Sequence, residues 1–458
     1  MKSLPNPLVA GPWAAAVALL ERWLVRGERA DYLLERVERG GGAADRPACQ
    51  RLLFGAIRHF GRLDAALGPL TARKPRARLR AVLLIAGFEL LEAADEPAEG
   101  GRAARVVDHA VGQAKGLLSP PEARLVNAVL RRLADAPDLR AAPPGAGAEA
   151  SELARFYSHP EWLVRRWQAR HGADATLRLL RWNQAPPPVY ARWRGPAEAP
   201  PWLQPTAWPG FLVVPVGRWA DVEPLLAAGT LYLQDPATRM AAGLLDPRRG
   251  EIVLDLCAAP GGKSLLLADL LAAAAGAPAT VPATAGRVVA VDQPDERRLE
   301  RLRANLAKAR GVDVSVVVAN VLELSAEMLA KQDLPPAFAA VLLDAPCSNT
   351  GVMRHRVDVK WRLHESDLAA QARQQLDLLT AAARLVADPA SGGGRIVYST
   401  CSLEPEENEG VVEAFLRAAG GRFALAETRH ARPWEDGCDG ASAFLLRRIS
   451  PGRSPAKS

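Results

Sequence analysis

Two periodicities divide the chain. Between residues 12 and 138 apolar positions recur every three to four residues, which predicts helices over 13–24, 51–70, 76–93, 105–116 and 122–134. Breaks fall at Gly40-Gly41-Gly42, at 97–101 and at Ser119-Pro120-Pro121. Runs of β-branched residues are scarce, so residues 1–140 read as an all-α domain. A Pro/Gly/Ala-rich linker follows at 141–150. Helical spacing returns around Trp162–Trp167 and 175–182, and gives way to short, proline-rich strands up to Leu231. Residues 151–230 therefore read as a small α+β module.

From Leu231 the text alternates strand and helix. Strands are predicted at Ile252–Leu256, 288–291, 314–319, 339–343, 394–399 and 443–449, with helices over Gly262–Ala274, 296–310, 365–387 and 406–418. Repeated βα units with right-handed crossovers imply a doubly wound, mostly parallel, Rossmann-like sheet over 231–450. The uncharged Ala/Pro/Thr/Gly stretch at 275–285 reads as a surface insertion, and 451–458 as a disordered tail.

Composition narrows the classes. With 458 residues, 49% of them hydrophobic, two or three domains can each bury a core. Five widely spaced cysteines fit neither a disulfide framework nor a zinc site, which favours a reducing cytoplasm and implies no metal. The apolar stretch 14–20 is too short to span a bilayer, so no membrane association is expected. A formal charge of +7 suits a polyanionic partner. Arg73, Lys74, Arg76, Arg78 and Arg80 cluster between two predicted helices, where they could neutralise phosphates. Seven tryptophans between Trp162 and Trp219 could stack bases, although packing is the commoner use.

The candidate chemistry sits at strand ends. The run Val341-Leu342-Leu343-Asp344 is closed by Pro346, which places Asp344 and Cys347 at the tip of a buried strand, where open α/β sheets carry their ligand crevice. A second cysteine turn follows another strand at Thr400-Cys401-Ser402. The loop Cys257-Ala258-Ala259-Pro260-Gly261-Gly262-Lys263 lies between a strand and a helix, where small residues let a ligand approach and the helix start favours negative charge. A phosphate fits, since Gly262-Lys263-Ser264 completes all but one position of the P-loop pattern. An adenosyl group fits better: Cys257 stands where that pattern wants glycine, Pro260 interrupts the loop, and Asp292 ends the next strand, placed for ribose hydroxyls.

These strings resemble a known family. The segment 255–263, Asp344-Ala345-Pro346-Cys347-Ser348 and Thr400-Cys401-Ser402-Leu403-Glu404-Pro405-Glu406-Glu407-Asn408 are similar to three motifs of the Nop/Sun family of S-adenosylmethionine-dependent RNA (cytosine-5) methyltransferases. Tyr232-Leu233-Gln234-Asp235-Pro236 resembles that family's entry into its catalytic domain. Upstream, 51–58, 125–131 and 159–163 resemble the branch that acts on 16S ribosomal RNA and carries a NusB-like RNA-binding domain. The resemblance implies a cytoplasmic enzyme with S-adenosylmethionine at 257–263, Asp292, Asn320 and Asp344, small-subunit ribosomal RNA as partner, and no obligate protein partner. It implies Cys401 as nucleophile, Cys347 as an aid to release, Asp344 polarising the base, and Lys263 steadying charge or the cofactor carboxylate. Two positions depart from the family pattern: Asn320 replaces an aspartate, and Val357 replaces the proline of an Arg-His-Pro-Asp string. An amide oxygen at Asn320 can still accept a hydrogen bond from adenine. Two other functions compete: a P-loop-like nucleotide hydrolase, and a catalytically inactive RNA-binding or ribosome assembly factor.

The reaction explains the residue types. C5 of cytosine is a weak nucleophile, and adding a thiolate at C6 makes C5 enamine-like. A cysteine with an accessible thiolate is therefore required near the cofactor.

Overall fold

The computed structural model describes residues 11–35, 45–94, 101–274 and 286–450. The glycine break at 40–42, the segment 97–100, the 275–285 insertion and the 451–458 tail lie outside the described residues. The chain forms two compact units, Met1–Pro186 with Met353–Glu365, and Pro187–Val352 with Ser366–Ser458.

The first unit is helical. Gly11–Arg26, Asp45–Arg58, Phe60–Leu67, Ala77–Ala94, Arg102–Leu117 and Pro120–Ala134 pack around one core containing Leu20, Leu53, Ile57, Leu83, Leu84 and Leu130. The helix expected over 51–70 is two helices, because His59 leaves helical geometry (φ −99°, ψ 11°). Next to the break, a Cβ at Gly61 would meet the Trp361 ring at 2.8 Å, so only glycine lets the two approach. The helix Pro120–Ala134 starts on a capping box between Ser119 and Glu122, with Pro120 at its first position.

This core is completed by a segment remote in sequence. Val357 is buried in it, and Trp361 donates from Nε1 to the Ile57 carbonyl at 2.9 Å. Lys360 is fully buried and donates to the Arg58 carbonyl at 3.0 Å. Burial, with Arg58 close by, pulls its ammonium well below the usual lysine range. Arg354 donates to the Ala185 and Pro186 carbonyls at 3.1 and 2.7 Å and stacks on Trp182. The hydrophobic Val357 thus fills core space at the position where the family pattern has proline.

Residues 151–230 contribute to both units. Their helices, Ala150–Phe156, Glu161–His171 and Ala173–Gln184, lie in the first, with Trp167 fully buried. Their strands, β1 Val189–Trp193, β2 Gln204–Pro205 and β3 Phe211–Val214, lie in the second, where β4 Leu231–Leu233, just beyond residue 230, completes a sheet in the order β2-β3-β1-β4. Trp219 is 53% exposed, while Trp193 and Trp202 pack on the core of this small sheet.

The large sheet of the second unit has seven strands: β5 Ile252–Leu256, β6 Arg287–Asp292, β7 Asp313–Val318, β8 Ala340–Asp344, β9 Arg395–Thr400, β10 Phe423–Ala431 and β11 Ala441–Arg448. Their order is β10-β11-β9-β8-β5-β6-β7. The five strands β9 to β7 are parallel, and β11 and β10 add antiparallel at one edge. Helices cover both faces, so β8 reads as an apolar run up to Asp344, and β5 as one interrupted only by the buried Asp255. β10 escapes the sequence pattern because six successive residues, 425–430, are exposed and the strand bulges between Leu425 and Glu427. From β5 the chain builds outward to β6 and β7, then returns to β8 on the other side. The switch point, where ligands bind in such sheets, therefore lies between the carboxyl ends of β5 and β8. No helix among the described residues is long and apolar enough to cross a membrane.

Candidate active site

Four sequence-predicted residues converge at that switch point. Lys263 opens the helix after β5, Asp344 ends β8, and Cys347 and Cys401 sit in the turns after β8 and β9. Lys263 Nζ and Asp344 Oδ2 are 2.7 Å apart. Asp344 pairs in register with Ser399 of β9, whose hydroxyl donates to its Oδ1 at 2.9 Å. Burial works against the Lys263 ammonium, but the Asp344 carboxylate outweighs it and holds the lysine above its usual range. The two cysteine sulfurs lie 3.3 Å apart. Cys401 donates to Asn349 Oδ1 at 3.4 Å, and Asn349 donates from Nδ2 to the Cys347 carbonyl at 2.6 Å. Asn349 takes a left-handed backbone (φ 62°), a conformation asparagine tolerates better than most residues. Its neighbour Gly351 packs against backbone on two sides: a Cβ there would meet the Gly440 and Cys401 carbonyls at 2.6 and 2.7 Å.

The two sulfurs have different surroundings. The Cys401 side faces Lys263, whose ammonium is stabilised by a charge on Cys401. The Cys347 thiol is raised well above its ordinary range, by its hydrogen bond to Cys401, by burial, and by the charges of Cys401 and Glu407. Asp235, Lys263, Asp344, Ser399, Cys401 and Asp439, among others, line a cleft.

The glycine loop after β5 is a turn with its backbone amides near the start of the helix Gly262–Ala274. Cys257 stands in left-handed geometry (φ 61°), Gly261 has φ 102°, and the Ala259–Pro260 peptide is cis. Burial pushes the Cys257 thiol up to about 12, with Asp292 and Asp344 adding to the shift, which disfavours its thiolate. Asp292 is buried at the end of β6, accepting from Ala259 N at 2.8 Å and from the Arg298 guanidinium at 2.9 Å through each oxygen. Asn320 lies two residues beyond β7, its Oδ1 accepting from Leu322 N at 3.2 Å. Gln234 donates to the Gly262 carbonyl at 3.0 Å and accepts from Arg192, which is also paired with Asp269, tying the loop to the small sheet. The structure thus brings 257–263, Asp292, Asn320 and Asp344 to the carboxyl ends of β5, β6, β7 and β8.

Beneath the loop, Asp255 is fully buried. It accepts from Ser264 Oγ, while its Oδ1 has no partner among the described residues. Burial raises this carboxyl to about 7; the Ser264 bond opposes that rise, and Asp344 and Asp292 add to it.

The basic cluster is placed elsewhere, in the helical unit. Arg76 pairs with Glu122, Arg78 with Glu21 at 2.8 Å, and Arg80 with Asp64 at 2.7 Å. Arg73 and Lys74 are exposed on the intervening loop and make no ion pair among the described residues.

Sequence reasoning assigned no role to a buried polar group behind the cysteines: Ser348, Ser402, Glu407 and Asn408. Glu407 and Asn408 stood inside the recognised 400–408 string. Two adjacent acids before a helix look like a solvated first turn, which is why their burial was not expected.

Comparison with known proteins identifies relatives of both parts of the chain. Residues 242–452 match the family described as 16S rRNA methyltransferase RsmB/F, and residues 14–135 match the NusB family. The chain is 31% identical over 423 residues to ribosomal RNA small subunit methyltransferase B of Serratia proteamaculans, covering 88% of this chain and 89% of that protein. It is 33% identical over 409 residues to the protein of the same name from Thermus thermophilus, covering 88% and 87% respectively. The crystal structure of PH0851 shares the fold, with a TM-score of 0.71 at 23% identity over 97% of this chain and 99% of that one.

Proposed function

The chain belongs to the ribosomal RNA small subunit methyltransferase B family, and from that premise we propose that it methylates C5 of a cytosine in 16S ribosomal RNA with S-adenosylmethionine. The observation that carries this reading is the pairing of two cysteine sulfurs at 3.3 Å beside a lysine–aspartate ion pair at a sheet switch point. S-adenosylmethionine supplies an electrophilic methyl group. The residues present fit it: small side chains at 257–262, left-handed backbone at Cys257 and Gly261, and an acid closing β6. Asp292 is the candidate for the ribose hydroxyls once Arg298 yields one of its oxygens, and Asn320 the candidate for the adenine amino group.

Cys401, as thiolate, adds to C6, and Lys263 lowers the cost of that charge. The proton that Cys401 gives up passes to N3, and Asp344, fixed by Lys263 and Ser399, accepts a hydrogen bond from that N3–H and so stabilises the adduct. After methyl transfer C5 loses its proton to solvent, the C–H electrons restore the C5–C6 double bond, and the C6–sulfur bond breaks. Cys347, retained as a thiol beside Cys401, gives its proton to the departing sulfur. The target base must leave its stack to reach the sulfurs, at a cost of a few kcal/mol, so an unpaired cytosine is favoured. Residues 1–140 form the NusB-like part that grips RNA, 151–230 a small RNA-binding module, and 231–450 the methyltransferase. The enzyme works in the cytoplasm without an obligate protein partner.

Bisulfite sequencing of 16S ribosomal RNA from cells with and without the gene tests this. One cytosine should lose protection in the deletion and regain it on complementation. An unchanged pattern, or methyl transfer confined to another nucleic acid, would refute the proposal.

A further inference from the structure

Behind the cysteine pair lies a carboxylate that the reaction as described does not use. Glu407 is completely buried, although carboxylates are almost never so unless paired. No cation among the described residues is hydrogen-bonded to it or paired with it. Its Oε1 instead accepts from Ser348 N at 2.8 Å and from Gln375 Nε2 at 2.9 Å. Its Oε2 accepts from the hydroxyls of both Ser348 and Ser402. Four donors meet a group that, as a carboxylate, only accepts.

The placement of those donors matters more than their number. Ser348 follows Cys347 in the turn after β8, and Ser402 follows Cys401 in the turn after β9. One side chain therefore joins the residues adjacent to both sulfurs, and the two hydroxyls lie 3.1 Å from each other. Thr350 and Asn408 reinforce the joint: Thr350 Oγ1 accepts from Leu403 N at 2.8 Å, and Asn408 donates to the Ser402 and Glu404 carbonyls at 2.9 and 3.0 Å.

We propose that Glu407 is a positioning residue, whose carboxylate locks the two cysteine turns together and so sets the spacing of Cys347 and Cys401. The proposal rests on the reading of these cysteines as the reacting pair. Glu407 also places a negative charge on the Cys347 side of the site, while Lys263 places a positive one on the Cys401 side. The same clamp that sets the distance thereby favours the proton on Cys347.

Crosslinking with diamide measures the clamp without RNA or cofactor. Two thiols give up two protons and two electrons to the diazene, which becomes the hydrazine, and peptide mapping identifies the Cys347–Cys401 disulfide. Glu407→Gln keeps the volume and removes the charge. It should slow the crosslink at least fivefold and methyl transfer at least tenfold, while S-adenosylmethionine affinity stays within twofold. Alkylation of Cys347 should also begin at lower pH in this variant. Ser402→Ala, which removes one donor and keeps the carboxylate, should change the same readouts in the same direction by less. A crosslink at the wild-type rate in Glu407→Gln would overturn the proposal, whatever its turnover. So would a slowed crosslink with undiminished turnover, because sulfur spacing would then not matter. If the cysteines were not the reacting pair, crosslinking would still slow in Glu407→Gln, but Cys401→Ala would retain activity.

Discussion

The turns after β8 and β9 are built alike and charged differently. Each ends a parallel strand of the sheet, each presents a cysteine followed by a serine, and both serines donate to Glu407. The difference lies in what else each sulfur meets. Cys401 has Lys263 nearby and donates to Asn349, whereas Cys347 has Glu407 behind it and its thiol is held high. Two nearly identical local sequences thus acquire different chemistry from side chains contributed by remote segments. A Cys-Ser pair at a strand end marks a site; its neighbours set its role.

Several changes break or sharpen this contrast, and the largest effect is expected at the proposed nucleophile. Cys401→Ala should reduce methyl transfer to background in a filter assay with labelled S-adenosylmethionine. Asp344→Ala removes the partner of Lys263 and the group at N3, and should lower kcat/KM by about 10²–10⁴-fold. Lys263→Ala withdraws the cation from the Cys401 side and should cost about 10²-fold. If it instead slowed only cofactor binding, the charge contrast between the turns would lose its basis.

Asp292→Ala leaves both turns intact. It should weaken S-adenosylmethionine binding about tenfold by calorimetry, the loss of one charged hydrogen bond, without changing diamide crosslinking. Unchanged affinity would remove Asp292 from the site. Asp255 gives a pH signature. Its folded carboxyl titrates near 7, above the ordinary value of 3.8, so the stability it contributes is present at low pH and is lost as pH rises toward and through 7. The melting temperature should fall between about pH 4 and 7, and Asp255→Asn should flatten that fall. The smallest effect is expected far from the cysteines. Neutralising Arg73 and Lys74 should reduce the log–log salt slope of RNA binding by about 0.7 per lost contact. The ion-paired Arg76, Arg78 and Arg80 should contribute less, since each already has an acid partner.

The parallel core was legible because its strands are buried on both faces, and buried parallel strands are written as apolar runs. Residues 340–343 show this, and Ile252–Leu256, whose expected and observed bounds coincide, departs from it only at the buried Asp255. β10 was not legible, because an edge strand with six exposed residues in a row carries no alternation. The break at His59 was hidden because the apolar spacing continues through it; a contact with Trp361, some 300 residues away, gives the reason. The site residues were readable as motifs, and the structure gathers Lys263, Asp344, Cys347 and Cys401 as the motifs suggested. The buried role of Glu407 was not readable. Nothing in a Pro-Glu-Glu-Asn string reveals that one acid points inward, and only the fold brings Ser348 to it. In the basic cluster, folding pairs Arg76, Arg78 and Arg80 with acids remote in sequence, which composition does not show.

The division of labour between the two cysteines can be measured directly by denaturing gel electrophoresis of each variant after incubation with 16S ribosomal RNA and S-adenosylmethionine. Cys347→Ala should accumulate a slow-migrating protein–RNA adduct, because addition and methyl transfer proceed while release stalls. Cys401→Ala should give none. An adduct from Cys401→Ala and none from Cys347→Ala would reverse the assignment, and methylation without an adduct in either variant would contradict covalent catalysis by this pair.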